Sequence, residues 1–274
     1  MGTAATLASL ALTYLVLFAL ERRLPLRRPT ASLAHRVAVN AAMSLLSFGT
    51  AALLVRPAAH ETLASAHAGN FGLVPLLGFA GPAEITMSFL LMDLTFYYWH
   101  RANHLLPFLW RMHNVHHIDP DLDVTTAFRF HFIEVALSAA FRVAQLALIG
   151  PSLLAFAIYE AAFQTCTLFH HSNLRMPRRL ERTLLRILVT PRMHGIHHSD
   201  YRNETNSNFG TVFTWWDRLH RTLRLDIPQD RIDIGVPAYS APEDNRIAHC
   251  IALPVLPQRD YWKTASGERI ERAP

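Results

Sequence analysis

Three short histidine clusters carry the chemistry that this sequence could perform. They are His100 with His104, His113 with His116 and His117, and His194 with His197 and His198. An i, i+4 spacing puts side chains on one helix face, and i, i+3, i+4 gathers three rings on one side. Thr190-Pro191 ahead of the third cluster reads as a helix start, a threonine cap followed by proline at the first helical position. Pro120 ends the second cluster's helix soon after His117. Neutral imidazole is the commonest metal-binding side chain and suits iron, zinc, copper or nickel. One six-coordinate metal that keeps a position open takes about four or five protein ligands. Eight histidines in three clusters therefore point to two metal ions close together. The Glu-x-x-His pattern of carboxylate dimetal bundles and the H-E-x-x-H pattern of zinc proteases are both absent. Asp93 lies seven residues before His100, on the same helix face. It is either an acceptor for a ligating histidine's other N–H or an ion-pair partner for an arginine.

Such clusters need elements that bring them together, and the composition indicates which. Only 17% of the 274 residues are charged, against about 25% in an ordinary soluble domain. The apolar residues collect in five stretches of near-spanning length, roughly 3–20, 37–55, 83–99, 132–149 and 151–169. The run 71–80 is too short to span and is broken by Pro75 and Gly78, so it reads as an interfacial loop. The first stretch has no positively charged start and no small-x-small site, so it reads as a span rather than a signal peptide. Arg22, Arg23, Arg27, Arg28 and Arg36 crowd the first connection, whereas the second carries only Arg56. Under the positive-inside rule the N-terminus is then outside and the C-terminal tail cytoplasmic. That arrangement puts His100–His131, His170-His171 and the tail on one face of the membrane. The expected fold is an all-α integral membrane bundle of about five spans with a cytoplasmic helical cap, a single unit over 1–274. The apolar content excludes disorder. Two cysteines outside any C-x-x-C pair exclude a disulfide scaffold. Arg175, Arg178, Arg179, Arg182 and Arg186 follow the last span, where a basic cluster meets anionic lipid rather than nucleic acid. Tyr97, Tyr98 and Trp99 read as an interfacial aromatic belt.

The clusters and their surroundings resemble the fatty acid hydroxylase superfamily, the sterol desaturase-type membrane enzymes. The resemblance rests on the three histidine boxes and on five flanking elements. These are Asp93 through His100-Arg101, Leu109-Trp110-Arg111-Met112-His113, His171-Ser172-Asn173, Thr190-Pro191-Arg192-Met193-His194 and Trp216-Asp217-Arg218-Leu219. It covers about residues 85 to 225. It implies oxygen-dependent hydroxylation or desaturation of a fatty acyl, sterol-like or related lipid at a non-haem dimetal site. The metal is normally assigned to iron, with zinc as an alternative in purified protein. It also implies further ligands at His171 and His131. His170 stands where the family often has glutamine, so the adjacent pair leaves two choices, and the His-Ser-Asn position favours His171. Asp93, His170 and Asn173 are then supporting residues around the ligands. The segment His131-Phe132-Ile133-Glu134 departs from the family by lacking a proline before the glutamate. No dinucleotide-binding motif or cysteine cluster is present, so electrons are expected from a separate ferredoxin, cytochrome or reductase. The expected location is a bacterial inner membrane. Oxidation of a carotenoid or ether lipid by the same site is the nearest alternative. A metal transporter and a zinc hydrolase are alternatives of different classes.

Overall fold

A computed structural model describes residues 3–270, and among these the regular structure is helical with no strand. Helix α1 spans Thr3–Arg23. Helix α2, Leu33–Thr50, runs through a π-helical turn at Ala51–Val55 into α3, Arg56–Gly69. At 1.5 Å per residue this rod is roughly 55 Å long, so the expected span 37–55 is one part of a longer element. The expected interfacial loop contains a one-turn helix α4, Leu73–Leu76, whose Val74 is fully buried. Helix α5 is Gly81–Leu105, and α6, Pro107–His117, follows it directly with proline at its start. Helices α7, Phe132–Ile149, and α8, Leu153–His171, form a hairpin. Gly150 ends α7 with φ +67° and lies against Gly72, where an added Cβ would come within 2.5 Å of the Gly150 backbone. Both positions need glycine for that crossing. The cap carries short helices: α9 at Arg178–Leu184, α10 at Pro191–His197, α11 at Arg202–Thr205, α12 at Trp215–Leu219 and α13 at Ile247–Ala252.

All five expected spans are helical, but among the described residues only three stretches are long and apolar enough to cross a membrane, Ala5–Arg23, Leu33–Leu76 and Phe132–Ile149. The other two expected spans lie in α5 and α8. These carry Asp93, Gln164, Thr167 and terminal histidines, because they form the inner wall of the site rather than the outer surface. Met92, Leu146, Ile149 and Tyr159 pack α5, α7 and α8 together. Outward-facing Leu7, Leu12, Leu45, Leu53, Leu148 and Leu153 remain exposed, an apolar exterior on the scale that marks contact with lipid. Tyr97 departs from the aromatic-belt expectation. It is fully buried, and its hydroxyl meets Thr222 of the cap at 2.9 Å.

A buried ionic network ties α2 to the segment between α6 and α7. Arg36 donates to both Asp119 oxygens, at 2.6 and 2.9 Å, and to Asp123 at 2.7 Å. Asn40 and Thr126 each donate to Asp119 at 2.8 Å. Arg129 donates to Asn40 and to the Val115 carbonyl, both at 2.9 Å. Arg22 reaches Asp123 and Thr30 reaches Asp121. The arginine-rich connection 21–36 therefore packs against the histidine-bearing segment 100–131, as the topology requires. Burial acts to raise the Asp119 carboxyl, but Arg36, Arg129 and the hydrogen bonds outweigh it and bring it down to about 2. A carboxyl depressed on folding stabilises above its unfolded value near 4, and the contribution is lost as pH falls through the folded value. Replacing Asp119 with Asn leaves Arg36 short of its main counter-charge. The expected loss is about 3–5 kcal/mol at pH 7, read from thermal unfolding in detergent. The gap between wild type and Asp119→Asn should narrow as pH approaches 2.

Candidate metal centre

Each cluster is presented by a helix end. The last turn and a half of α5 carries His100 and His104, and α6 carries His113, His116 and His117. His170 and His171 close α8. Pro191 opens α10, which carries His194 and His197 with His198 at its C-cap. These rings meet in two buried groups. His100, His104, His113, His117 and His197 form the first, and His116, His171, His194 and His198 the second. Within each group the candidate ligand atoms lie within 4.8 Å of one another. The groups abut through His117 and His198, whose rings stack with centroids 4.3 Å apart. Helix periodicity explains the division. Residues four apart are about 40° apart around the axis, and successive residues about 100°. His113 and His117 thus share a group while His116 faces the other, and His194 and His198 share a group while His197 faces the other.

Backbone carbonyls fix the ring orientations. The Nδ1 atoms of His100 and His197 meet the Phe209 and Ser207 carbonyls at 2.9 and 2.8 Å. Those of His116 and His171 meet the Arg129 and Thr167 carbonyls at 3.3 and 2.8 Å. A carbonyl only accepts, so each of these Nδ1 atoms carries the proton and each Nε2 presents a lone pair. Yet Nε2 of His171 stands 3.1 Å from Nε2 of His116 and 3.0 Å from Nε2 of His194. Two facing lone pairs repel unless a cation lies between them. Burial first, then the neighbouring histidines, push His116, His117, His194, His197 and His198 well below the ordinary imidazole value. At neutral pH the rings are therefore uncharged, and a proton is not the missing cation. Both nitrogens of His104 and His117, Nε2 of His113 and His197, and Nδ1 of His194 and His198 are buried without a hydrogen-bond partner. Metal–imidazole bonds of about 2.0–2.1 Å put neighbouring ligand nitrogens roughly 3.0–3.4 Å apart, and the 3.0–3.1 Å separations fall in that range. The donor set fits metal ions.

The remaining expected residues lie around the groups. His131 belongs to neither. It caps α7, where its Nδ1 accepts from the Ile133 amide at 3.2 Å and its Nε2 donates to the Ile251 carbonyl at 3.0 Å. With both nitrogens engaged it has no lone pair to give. His170 is outside both groups but packs on His194 at 4.2 Å between centroids, held by the Thr211 carbonyl at 3.2 Å. Among the described residues, Asp93 forms no hydrogen bond or ion pair with a histidine or an arginine. It accepts from the Val212 and Phe213 amides and from the Trp216 indole, fixing the loop whose carbonyls orient His100, His170 and His197. Asn173 pairs with the Arg27 backbone in both directions, joining the end of α8 to the α1–α2 connection.

Two carboxylates have roles that sequence reasoning did not assign. Glu134 accepts from His113 Nδ1 at 2.8 Å. Its signal was a lone acid in the first turn of an apolar helix. Asp217 accepts from the Phe209 and Gly210 amides. A carboxylate behind a ligating histidine sets its tautomer and raises its basicity. Glu134→Gln should therefore lower metal affinity about 10- to 100-fold, measured by competition with a chelator. The helical circular dichroism should match wild type.

The fatty acid hydroxylase family model matches residues 85–222, half of the chain. The chain is 32% identical over 155 residues to an ornithine lipid hydroxylase of Rhizobium tropici, covering 56% of this chain and 45% of that protein. It is 27% identical over 197 residues to alkylglycerol monooxygenase of Xenopus tropicalis, covering 71% and 42%. It is 27% identical over 144 residues to human cholesterol 25-hydroxylase, covering 52% and 51%. The aligned part spans about half or less of each of these relatives. No solved structure matches the chain. With the family's span enclosing every histidine of both groups, this chain belongs to the fatty acid hydroxylase family.

Proposed function

We propose that this chain is a membrane-bound oxidoreductase that uses O2 to oxidise a C–H bond of a lipid, with two iron ions held by its two histidine groups. The observation that carries this reading is the convergence of nine buried imidazoles, with lone pairs of His116 and His171 facing each other, at the end of an apolar helix bundle. In this reading His100, His104, His113, His117 and His197 hold one ion, and His116, His171, His194 and His198 hold the other. When bound, iron supplies the redox chemistry that O2 activation requires. Hydroxylation is favoured over desaturation, because the relatives are by name hydroxylases and monooxygenases. Their named substrates differ, and all are lipids or lipid-like.

The chain's own residues set up the reaction. The carbonyls of Phe209, Ser207, Arg129 and Thr167 hold protons on Nδ1, so that the Nε2 atoms stay unprotonated and point inward. Glu134 supports His113 in the same way. Trp110 packs against His104 and His117 and under Trp262 of the tail, which closes that side to water. The outer helices let an apolar chain approach from lipid, and the bundle positions one carbon of it. Hydroxylation consumes O2, two electrons and two protons and yields the alcohol and water. A separate ferredoxin, cytochrome or reductase supplies the electrons. The positive-inside rule applied to the arginine-rich connection supports a metal centre and C-terminal tail in the cytoplasm and an N-terminus outside, and the location in this reading is a bacterial inner membrane.

Metal analysis of the purified protein tests this reading. About two irons per chain are expected, with about one lost in His117→Ala and about one in His171→Ala. Cells expressing the wild type should accumulate a hydroxylated lipid only in the presence of O2. One zinc or none, unchanged in both variants, would remove the basis for the proposal.

A further inference from the structure

A cavity of about 700 Å³ opens beside the metal centre and plays no part in the chemistry described above. Three guanidinium groups, Arg175, Arg178 and Arg192, line it together with Gln229, Leu24 and Met176. Asp230 also lines it, and Glu181 binds Arg192 Nε at 2.8 Å. Arg27 stands directly behind the wall. It is only 8% exposed and donates to Gln229 at 2.6 Å, yet its Nε and Nη2 have no hydrogen-bond partner. The carboxylates of Asp121, Glu21 and Asp123 offset part of its charge, but two unused donors on a buried cation remain costly and leave room for a further acceptor. The sequence lets Arg27 sit there only because residue 195 is glycine. A Cβ at Gly195 would collide with the Arg27 guanidinium.

The position of the cavity is as informative as its charge. One rim is where α1 leaves the bundle, and the other is where α8 ends. The two are joined by Arg175 N donating to the Leu24 carbonyl at 2.8 Å and Leu26 N donating to the Asn173 carbonyl at 2.7 Å. Membrane helices emerge at the depth where lipid headgroups lie. The inner wall belongs to α10. Arg192 is two residues before His194, and Gln229 Nε2 donates to the Arg192 carbonyl at 3.2 Å. Arginine forks suit phosphate oxygens, the apolar side chains suit the start of an acyl or glycerol portion, and a volume of this size is typical of small-ligand sites.

We infer that this cavity binds the phosphate-type anionic headgroup of the lipid whose chain is oxidised, so that the substrate is an anionic lipid held by its head. The inference rests on the lipid-oxidation reading and adds a substrate class to it. An anchored head fixes the depth of the chain, and hence which carbon reaches the metal centre.

The test uses the full-length protein in detergent and compares wild type with Arg175→Gln/Arg178→Gln, a change at two exposed positions. A control, Arg182→Gln/Arg186→Gln, removes the same charge outside the cavity. The probes are dioleoylphosphatidylglycerol, dioleoylphosphatidylcholine and inorganic phosphate, with binding followed by thermal shift and native mass spectrometry. Wild type should bind phosphatidylglycerol well above phosphatidylcholine and above inorganic phosphate. The cavity variant should lose about 30-fold in that affinity, the product of two arginine contacts, and the control should lose little. Oxidised product in expressing cells should fall in the anionic lipid fraction and drop in the cavity variant. Equal binding of the two lipids, equal losses in both variants, or product spread evenly over zwitterionic lipids would each overturn the inference. Phosphate binding as tightly as the lipid would make this a free-anion site and overturn it too. Metal content on the same samples separates the two readings. Intact metal with no lipid preference defeats the cavity assignment alone, whereas absent metal defeats the oxidation reading.

Discussion

The structure depends on a set of hydrogen bonds that each spend one nitrogen of a histidine so that the other is left bare. In His100, His116, His171 and His197 a backbone carbonyl takes the Nδ1 proton, and in His113 the Glu134 carboxylate takes it. The bare Nε2 atoms then face one another at separations that repel in the absence of a cation. Burial removes the option of relieving this by protonation, because it disfavours the charged ring. A site of this kind favours a cation between the facing nitrogens, and metal bound there would be coupled to the order of the surrounding loops.

That requirement explains why so much polar structure is buried in a protein with an apolar exterior. The carbonyls that orient the rings sit on irregular segments, and irregular backbone must be satisfied internally. Asp93 and Asp217 do this for the 207–217 loop by accepting from four amides and an indole. Arg129 contributes twice, through a guanidinium that holds Val115 and Asn40 and a carbonyl that orients His116. Arg36 and Asp119 anchor the same segment to α2. These groups form a frame around the imidazoles, in which Asp93, Arg36 and Arg129 reach partners far away in the chain and Asp217 ties its own loop.

The same frame links the chemistry to the membrane. Helices α5 and α8 deliver histidines from the bundle interior, while α1, α2 with the π-helical turn that follows it, and α7 present leucine outward. Connection 21–36 returns against the histidine-bearing segments, and its Arg27 comes up against Gly195, the neighbour of His194 in the second histidine group. A lipid bound at the rim and a metal centre behind α10 would share that wall.

Much of this was legible in the sequence because it is local. Helix periodicity alone puts His100 with His104 and His113 with His117, and Pro107, Pro191 and Gly150 mark helix ends that the fold respects. Apolar run lengths identify five helices, and the motif order identifies the family. Which clusters meet was not legible, since His197 joins the first group and His116 the second through contacts between segments more than fifty residues apart. The same limit explains His131. Its type and neighbourhood match a ligand, but the Ile133 amide and the Ile251 carbonyl claim its nitrogens, and only the folded chain brings Ile251 there. Asp93 departs from its expected partners and Glu134 gains a role that spacing did not assign for the same reason, since a carboxylate's partner is set by what packs against it. Residue spacing determines which side chains share a helix face; tertiary packing decides which nitrogen keeps its lone pair, because that depends on a hydrogen-bond partner supplied from elsewhere in the fold.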